Sequence, residues 1–387
     1  MRCVYLDNNA TTPVLPEVYE AMRPYFEEHF GNASSIHSYG QQTRAAVESA
    51  RESVAGLLGC RASEIVFTSG GTEADNLAIA GLVAPGDHVI TSSIEHHAVL
   101  HACKHLASTG FEITILPVDG HGLVNPGDVR HALRPNTKLI SIMMANNETG
   151  VLQPVEEIGK IAAEAGIYFH TDGVQAAGKV PIDVQRIGCH ALSISGHKMH
   201  APQGVGALYV KKGTRIQPLF HGGRHERSRR AGTENVPGIV ALGKAAELAR
   251  NSLHRRDDKK MTAMRDRLEQ RILAAVEDAS VNGTGAQRVP NTTNIGFEHI
   301  EGESLVIALD LKGLAVSTGA ACSSGAIEPS HVLIAMGLRK DEARASIRFS
   351  LGKQTTDEDI DFALSLVPEI VARLRALSPS YKQPVRM

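Results

Sequence analysis

The alternation of short apolar strands with helices between residues 60 and 210 is the feature that most constrains this chain. Glu64–Thr68, His88–Ser92 and Lys138–Met144 are predicted strands, and helical patterns follow them. Two more strands are predicted at Ile167–Thr171 and Ala191–Ser195. This alternation indicates a mainly parallel sheet with helices on both faces. Such sheets bind ligands beyond the carboxyl ends of their strands, where we expect the functional residues.

The pattern changes after Gly206. Gly206–Lys211 is predicted to be an edge strand, and residues 238–277 read as one or two long helices. A smaller α+β unit follows, with strands at Thr292–Phe297 and Ala345–Ser350. The predicted organisation is a large domain over residues 15–255 and a small domain built from residues 1–14 and 256–387.

The charge balance and the apolar segments exclude several classes of protein. Lysine and arginine number 40 against 42 acidic residues, a net charge of −2, which argues against a general nucleic-acid binder. No run is long and apolar enough to cross a membrane. Residues Met1–Asp7 lack the features of a signal peptide, so we expect a cytoplasmic protein with no nucleic-acid or membrane partner.

The five cysteines do not suggest a disulfide framework or a zinc site. Their number is odd and no CxxC spacing occurs, so we expect no bound metal. Cys3, Cys60, Cys103 and Cys189 are interpreted as small buried hydrophobic residues. Cys322 differs because residues Ser317–Ala326 contain no bulky apolar side chain. That loop is expected to be mobile and its thiol exposed, which suits a nucleophile.

Lys198 is the first candidate catalytic residue. It follows the predicted strand Ala191–Ser195 and precedes a turn rich in proline and glycine. A lysine held there is a candidate for a Schiff base with pyridoxal phosphate, and Ser195 and His197 could hold a phosphate. A surface lysine in a turn is the alternative.

Two further segments suit the same cofactor. Ser69-Gly-Gly-Thr72 joins a strand to a helix, and its backbone N–H groups could bind an anion, although Thr72 as an ordinary helix cap is the alternative. Asp172, at another strand end, could pair with a pyridine nitrogen or cap a helix. Gln175 could donate to the ring's phenolic oxygen.

Other polar residues leave both functional and structural interpretations. His96 could stack on a flat ring and move protons, whereas His97 is expected to begin a helix and face solvent. Asn32 and Asn147 carry amides that could bind a carboxylate, and Asn146 is better explained by turn chemistry. Arg348, on a predicted strand, needs an anionic partner unless that face is exposed. The arginines of loop Arg224–Arg230 are expected to serve a contact between subunits.

Together these segments resemble the NifS/IscS-type cysteine desulfurases, which are class V aminotransferase-like pyridoxal phosphate enzymes of fold type I. The resemblance runs from Tyr5-Leu-Asp-Asn-Asn-Ala-Thr-Thr-Pro13 to Ile347-Arg-Phe-Ser-Leu-Gly352. It implies an α/β fold with a large cofactor-binding domain and a smaller α+β domain. Ser317-Thr-Gly-Ala-Ala-Cys322 is similar to the Ser-Ser-Gly-Ser-Ala-Cys loop of one group within that family.

The resemblance implies a role for each candidate. Lys198 would bind the cofactor, Asp172 its ring nitrogen, Gln175 its phenolate, and His96 would stack on the ring as acid or base. The phosphate would be held by Gly71, Thr72, Ser195 and His197, and by Thr233 from the other subunit of a homodimer. The substrate carboxylate would be bound by Asn32, Asn147 and Arg348. Cys322 would carry the persulfide.

The implied reaction converts L-cysteine to L-alanine and leaves the sulfur on Cys322. The sulfur would then pass to an acceptor protein, such as an iron–sulfur scaffold whose cluster Cys322 could contact. A selenocysteine lyase or another class V enzyme, such as an aminotransferase, is one rival. A non-catalytic interaction protein that keeps the fold is another.

Overall fold

The structure is a computed structural model that describes residues 2–318 and 328–377. The strands in those ranges are β1 Val4–Tyr5, β2 Ile65–Thr68, β3 His88–Ser92, β4 Glu112–Leu116, β5 Thr137–Ser141, β6 Tyr168–Asp172, β7 Ala191–Ser195, β8 Gly206–Val210, β9 Ala279–Asn282, β10 Thr292–Phe297, β11 Leu314–Ala315 and β12 Ser346–Ser350. The α-helices are α1 Pro16–Met22, α2 Pro24–Glu27, α3 Ser38–Leu58, α4 Gly71–Gly81, α5 His97–Ser108, α6 Pro126–His131, α7 Val155–Ala165, α8 Val184–Ile187, α9 Val236–Arg255, α10 Asp257–Ala275, α11 Gly302–Asp310, α12 His331–Ala335, α13 Lys340–Arg344 and α14 Asp357–Leu377.

A seven-stranded sheet forms the centre of the larger unit. Its strand order is β2-β8-β7-β6-β5-β3-β4, and β3 to β7 run parallel. Two neighbouring residues of β3 point to opposite faces of this sheet, and each face is covered by helices. Val89 packs in a core with α4 and α5. Ile90 packs in the core that contains α3, α7 and α9. The predicted parallel sheet with helices on both faces is confirmed.

The prediction that Gly206–Lys211 is an edge strand is wrong. β8 pairs antiparallel with β7 on one side and with β2 on the other. Every residue of β8 is buried, which explains its unbroken run of apolar side chains. The edges of this sheet are β2 and β4.

A long helix that the sequence analysis did not predict, α3, packs against α9. Its buried side chains, including Val47, Val54 and Leu58, recur at helical spacing. Gly59 ends α3 with a φ of 71°, a conformation that glycine adopts without strain. On α9, a methyl group at Gly243 would lie 2.6 Å from the Cα of Ala50, so the two helices approach closely there.

The smaller unit is built on an antiparallel sheet of order β12-β10-β9. Its core combines Val4 and Leu6 from the N-terminal segment with residues of α10, α11 and α14. The predicted helical region 238–277 is two helices, α9 and α10, separated at Arg256, whose φ is 64°. The domain boundaries at residues 15 and 255 remain predictions. In the described part of the chain, every helix is too short or too polar to span a bilayer.

Candidate active site

A cavity of about 290 Å³ lies where β6 and β7 end and α4 begins. Ten predicted residues line it: Gly71, Thr72, His96, Asn147, Asp172, Gln175, Ser195, His197, Lys198 and Arg348. Its other lining residues are Asn9, Ala10, Asp75, Met143 and Val174. The carboxyl ends of the parallel strands therefore meet at one site, as the sheet topology requires.

The N-terminus of α4 provides one wall of the cavity. Gly70 is the N-cap and offers no side-chain hydrogen bond to the first turn, so Thr72 does not cap this helix. A Cβ at Gly71 would lie 2.8 Å from Cγ2 of Val174, so only glycine fits without displacing that side chain. The first-turn N–H groups and the helix dipole favour an anion here, beside Ser195 and His197.

Asp172 is the last residue of β6 and is buried. Its Oδ1 accepts a hydrogen bond of 2.8 Å from the backbone N–H of Val174. Residues 174–178 form a turn and not a helix, so the predicted alternative of a helix cap is wrong. Burial raises the pKa of this carboxyl to about 6, although the Val174 hydrogen bond and the Lys198 cation lower it. Since Asp172 also lines the cavity, it can serve a ligand as well as the backbone.

Lys198 lies in the cavity and not on the outer surface. It ends the short 3₁₀ helix Gly196–Lys198, which directly follows β7. Its Nζ donates to the carbonyl oxygens of Asn9 at 2.6 Å and Ala10 at 2.7 Å. The N-terminal segment therefore fixes the position of the candidate nucleophile.

His96 is the N-cap of α5, and its Nδ1 accepts from the backbone N–H of Ala98 at 3.1 Å. Burial, reinforced by the Lys198 cation, lowers the pKa of His96 to about 4. The ring is therefore neutral at pH 7, with its proton on Nε2. His97 does begin the helix, but the prediction that it faces solvent is wrong. Its ring is half-buried and stacks on His101 and His331 at 5.0 and 4.8 Å.

Arg348 is buried in the middle of β12, which excludes the exposed strand face. Its Nη2 donates to Oδ1 of Asp7 at 2.7 Å, and its Nη1 donates to the carbonyl oxygen of Asn147 at 2.9 Å. The anionic partner predicted for Arg348 is therefore the carboxylate of Asp7. Among the described residues its Nε has no hydrogen-bond partner, so this donor is available to a ligand. As expected, Asn146 serves a turn, since its Oδ1 accepts from the N–H groups of Glu148 and Thr149.

Sequence reasoning missed Asn9, which joins several site residues. Its carbonyl oxygen accepts from Lys198 and, at 3.0 Å, from Nε2 of Gln175. Its Oδ1 accepts from Lys179 at 3.1 Å, and its Nδ2 donates to the carbonyl oxygen of Asn147 at 3.1 Å. The polar run after β1 was the available signal, but its contacts lie more than a hundred residues away in the sequence.

Three predicted site residues do not line the cavity. Asn32 is exposed, and its Oδ1 accepts from the backbone N–H of Ser34. Thr233 is also exposed. Cys322, the predicted persulfide residue, lies outside the described residues.

The other cysteines are mostly buried. Cys103 and Cys189 are buried and Cys60 is half-buried. Burial raises the pKa of Cys60 and of Cys103 to about 12, and raises that of Cys189 further. Their thiols stay protonated at neutral pH and are poor nucleophiles. The prediction that Cys3 is buried is wrong, because it lies exposed just before β1, outside the core.

A family model described as "Aminotransferase class-V" matches residues 4–362. The chain belongs to this family. It is 51% identical over 386 residues to a protein named cysteine desulfurase IscS from Dictyoglomus turgidum. The alignment covers 99% of this chain and 98% of that protein. This relationship confirms the predicted membership of the NifS/IscS-type cysteine desulfurases.

Solved structures agree with this assignment. A structure described as a NifS-like protein aligns with a TM-score of 0.89 at 37% identity, covering 96% of this chain and 100% of that one. Another, described as SspA in complex with cysteine, aligns with a TM-score of 0.79 at 38% identity, covering 90% of this chain and 98% of that one. The predicted α/β fold class is therefore confirmed.

Proposed function

We propose that this chain uses pyridoxal phosphate to convert L-cysteine to L-alanine and leaves the sulfur on Cys322 as a persulfide. The relatives named cysteine desulfurase and the similar structure described with cysteine support the substrate and the reaction. The observation that carries the proposal is one cavity that joins Lys198, Asp172 and the uncapped N-terminus of α4.

The residues present suit pyridoxal phosphate. The N-terminus of α4 with Thr72 and Ser195 would take the phosphate, Asp172 the ring nitrogen, and Lys198 the aldehyde carbon. The missing Cβ at Gly71 leaves room for the phosphate to approach the backbone. When bound, the cofactor supplies an aldehyde that condenses with amines and a ring that withdraws electrons from the substrate.

The residues of the chain have distinct tasks in this reaction. Lys198 Nζ moves the proton at the substrate Cα, and the Asp172 carboxylate holds a proton at the ring nitrogen. His96, neutral with Nε2–H, presents a hydrogen-bond donor to the cavity. Arg348, through its Nε, and the side chain of Asn147 are placed to bind the substrate carboxylate.

The sulfur step balances without an external oxidant. The Cys322 thiolate attacks the substrate sulfur, so the S–S bond of the persulfide forms as the Cβ–S bond breaks. The departing carbon keeps the electron pair and takes a proton, which yields alanine. Carbon is thereby reduced by two electrons, and the two sulfur atoms that form the S–S bond are oxidised by one electron each. Cys60, Cys103 and Cys189 are unsuited to this attack because burial keeps their thiols protonated.

A homodimer is part of this proposal. Five exposed aromatic or aliphatic side chains lie between α1 and the start of α3: Tyr19, Phe26, Phe30, Ile36 and Tyr39. A surface of this kind is typical of a protein–protein interface. Asn32 lies within the same stretch, and Thr233 is exposed as well. A second copy of the chain could therefore bring both residues to a neighbouring cavity.

The proposed destination of the sulfur is an acceptor protein, such as an iron–sulfur scaffold whose cluster Cys322 could contact. The IscS name of the relative supports this class of acceptor. We also infer a cytoplasmic location, since Cys60, Cys103 and Cys189 form no disulfide bond.

The test compares Cys322→Ala with Cys3→Ala, which removes an exposed thiol elsewhere in the chain. We expect Cys322→Ala to keep the visible absorbance of the bound cofactor but to lose alanine production and the added sulfur detected by mass spectrometry. Cys3→Ala should behave as the wild type. Lys198→Ala should lose the visible band. Full turnover in Cys322→Ala would refute the persulfide assignment, and an unchanged band in Lys198→Ala would refute the cofactor assignment.

A further inference from the structure

Lys179 contacts two residues that line the candidate active site, although it does not line that cavity itself. It follows β6 by seven residues, and its half-buried side chain borders a second cavity of about 320 Å³. Its Nζ donates to Oε1 of Gln175 at 2.6 Å and to Oδ1 of Asn9 at 3.1 Å. Both acceptors are neutral amide oxygens, although the carboxylates of Asp257 and Asp258 line the same second cavity.

The chemistry of these groups determines which end of the Gln175 amide faces Lys179. A lysine ammonium has three N–H donors and no acceptor, so the atom of Gln175 that meets it must be the oxygen. The amide nitrogen then points the other way and donates to the carbonyl oxygen of Asn9 at 3.0 Å. That carbonyl also accepts from Lys198, so both of its lone pairs are used. One N–H of Gln175 remains for a ligand in the 290 Å³ cavity.

We propose that Lys179 is a positioning residue that fixes the Gln175 amide with its oxygen toward Lys179 and one N–H toward the cofactor ring. The inference rests on the proposed function, in which Gln175 donates to the phenolic oxygen of pyridoxal phosphate. Lys179 does not line the 290 Å³ cavity, so it acts through Gln175. Lys179 also donates to the side chain of Asn9, and the carbonyl oxygen of Asn9 accepts from Lys198. The orientation of the Gln175 amide is thereby coupled to the position of Lys198.

Burial supports this role by making the contact costly to lose. Gln175 and Asn9 are buried. Without Lys179, Oε1 of Gln175 would lose its donor and pay the desolvation cost of a buried polar atom, whereas Oδ1 of Asn9 would keep its hydrogen bond from Nδ2 of Asn291 at 3.1 Å. Burial lowers the pKa of Lys179, and the nearby Lys198 and Arg348 cations lower it further. A neutral amine would also have an acceptor lone pair, but the carbonyl oxygen of Asn9 can only accept, so the Gln175 amide nitrogen still belongs on that side.

The experiment measures the pH at which the visible absorbance of the bound cofactor changes. A hydrogen bond donated to the ionised phenolic oxygen favours that form and lowers its pKa. Lys179→Met should therefore raise the midpoint of the absorbance titration by about one pH unit. Lys179→Arg, which also offers only donors, should keep a midpoint close to the wild-type value.

A double-mutant cycle with Gln175→Met separates action through Gln175 from a simple charge effect. We expect the double variant to shift no more than Gln175→Met alone. Additive shifts, or no shift in Lys179→Met, would overturn the inference. Lys353→Met is the matched control, because it removes a lysine from the same second cavity and should leave the titration unchanged.

Two further outcomes keep this test independent of the proposed function. If Lys179→Met does not fold, the comparison of Lys179→Arg with Lys179→Gln replaces it, since glutamine offers both a donor and an acceptor to the Gln175 amide. Equal titrations of these two variants would overturn the inference. A wild-type protein without a visible band after incubation with pyridoxal phosphate would refute the proposed function itself.

Discussion

Replacing Glu226 should destabilise the protein far more than replacing Glu48, although both carboxylates pair with Arg51. Glu226 accepts from Nη1 of Arg51 at 2.7 Å and from Nη2 at 2.9 Å, and it also accepts from the backbone N–H of Phe67 at 3.0 Å. The side chains of Arg51 and Glu226 are 5% and 4% exposed. Glu48 contacts the Nε of Arg51 at 3.2 Å and is 47% exposed.

The magnitudes follow from that difference in exposure. Glu226→Gln removes the buried ionised partner of Arg51 and leaves only the exposed Glu48 carboxylate beside that cation. Removing one partner costs about 3–5 kcal/mol in comparable buried pairs. Glu48→Gln removes a solvent-exposed pair, which costs about 0–1 kcal/mol. Replacing both buried partners, as in Arg51→Met with Glu226→Met, should recover much of the loss, because no charge then remains buried without a partner.

Urea unfolding followed by circular dichroism measures these differences in the free energy of unfolding. All variants should be compared at one protein concentration, because the stability of a dimer depends on that concentration. Unfolding free energies of Glu226→Gln and Glu48→Gln that agree within about 1 kcal/mol would refute the reasoning. So would a double variant that is less stable than Glu226→Gln.

Two further predictions concern packing and pH. Gly159→Ala should lower the unfolding free energy by at least about 1–3 kcal/mol, because its methyl group would lie 1.9 Å from the carbonyl oxygen of Ile187. Gly120→Ala, whose methyl would meet its nearest neighbour at 3.9 Å, is the control, and equal losses would contradict this explanation. Burial lowers the pKa of His170 to about 3, so the unfolded chain binds a proton there first. The His170 contribution to the unfolding free energy should therefore be complete above about pH 6.5 and be lost as the pH drops toward 3. In His170→Asn the unfolding free energy should fall less steeply over this range. An unchanged slope in that variant would exclude His170 as the cause.

Residues at the ends of strands could be predicted from the sequence because a local signal reports them. Each of Asp172 and Lys198 follows a recognisable apolar strand, and parallel topology brings such strand ends together. Thr72 was found in the same way, through the glycine turn before α4. For these residues, secondary structure and sheet topology were sufficient.

Contacts between distant segments could not be predicted in this way. Lys179 carries no local motif, and Asn9 lies in a polar run that does not show which distant residues it contacts. Their importance appears only when the N-terminal segment meets the end of β6. The interior position of β8 was missed because an antiparallel return strand can pair at an edge or be inserted, and the order of elements alone does not distinguish the two. Asn32 and Thr233 lie outside the cavity of one chain, so their predicted roles require a second copy.

The contact between Asp7 and Arg348 has a consequence for biosynthesis, because it joins residues 341 positions apart. On the ribosome, the nascent chain can complete its seven-stranded sheet once residue 210 has emerged. The segment that holds Lys198 must then wait for β12, which is synthesised more than a hundred residues after β8, to supply Arg348 and the pairing of Asp7 with Ser350. We therefore expect the nascent protein to have a folded sheet before it has a finished cofactor pocket, so that cofactor capture follows the emergence of β12.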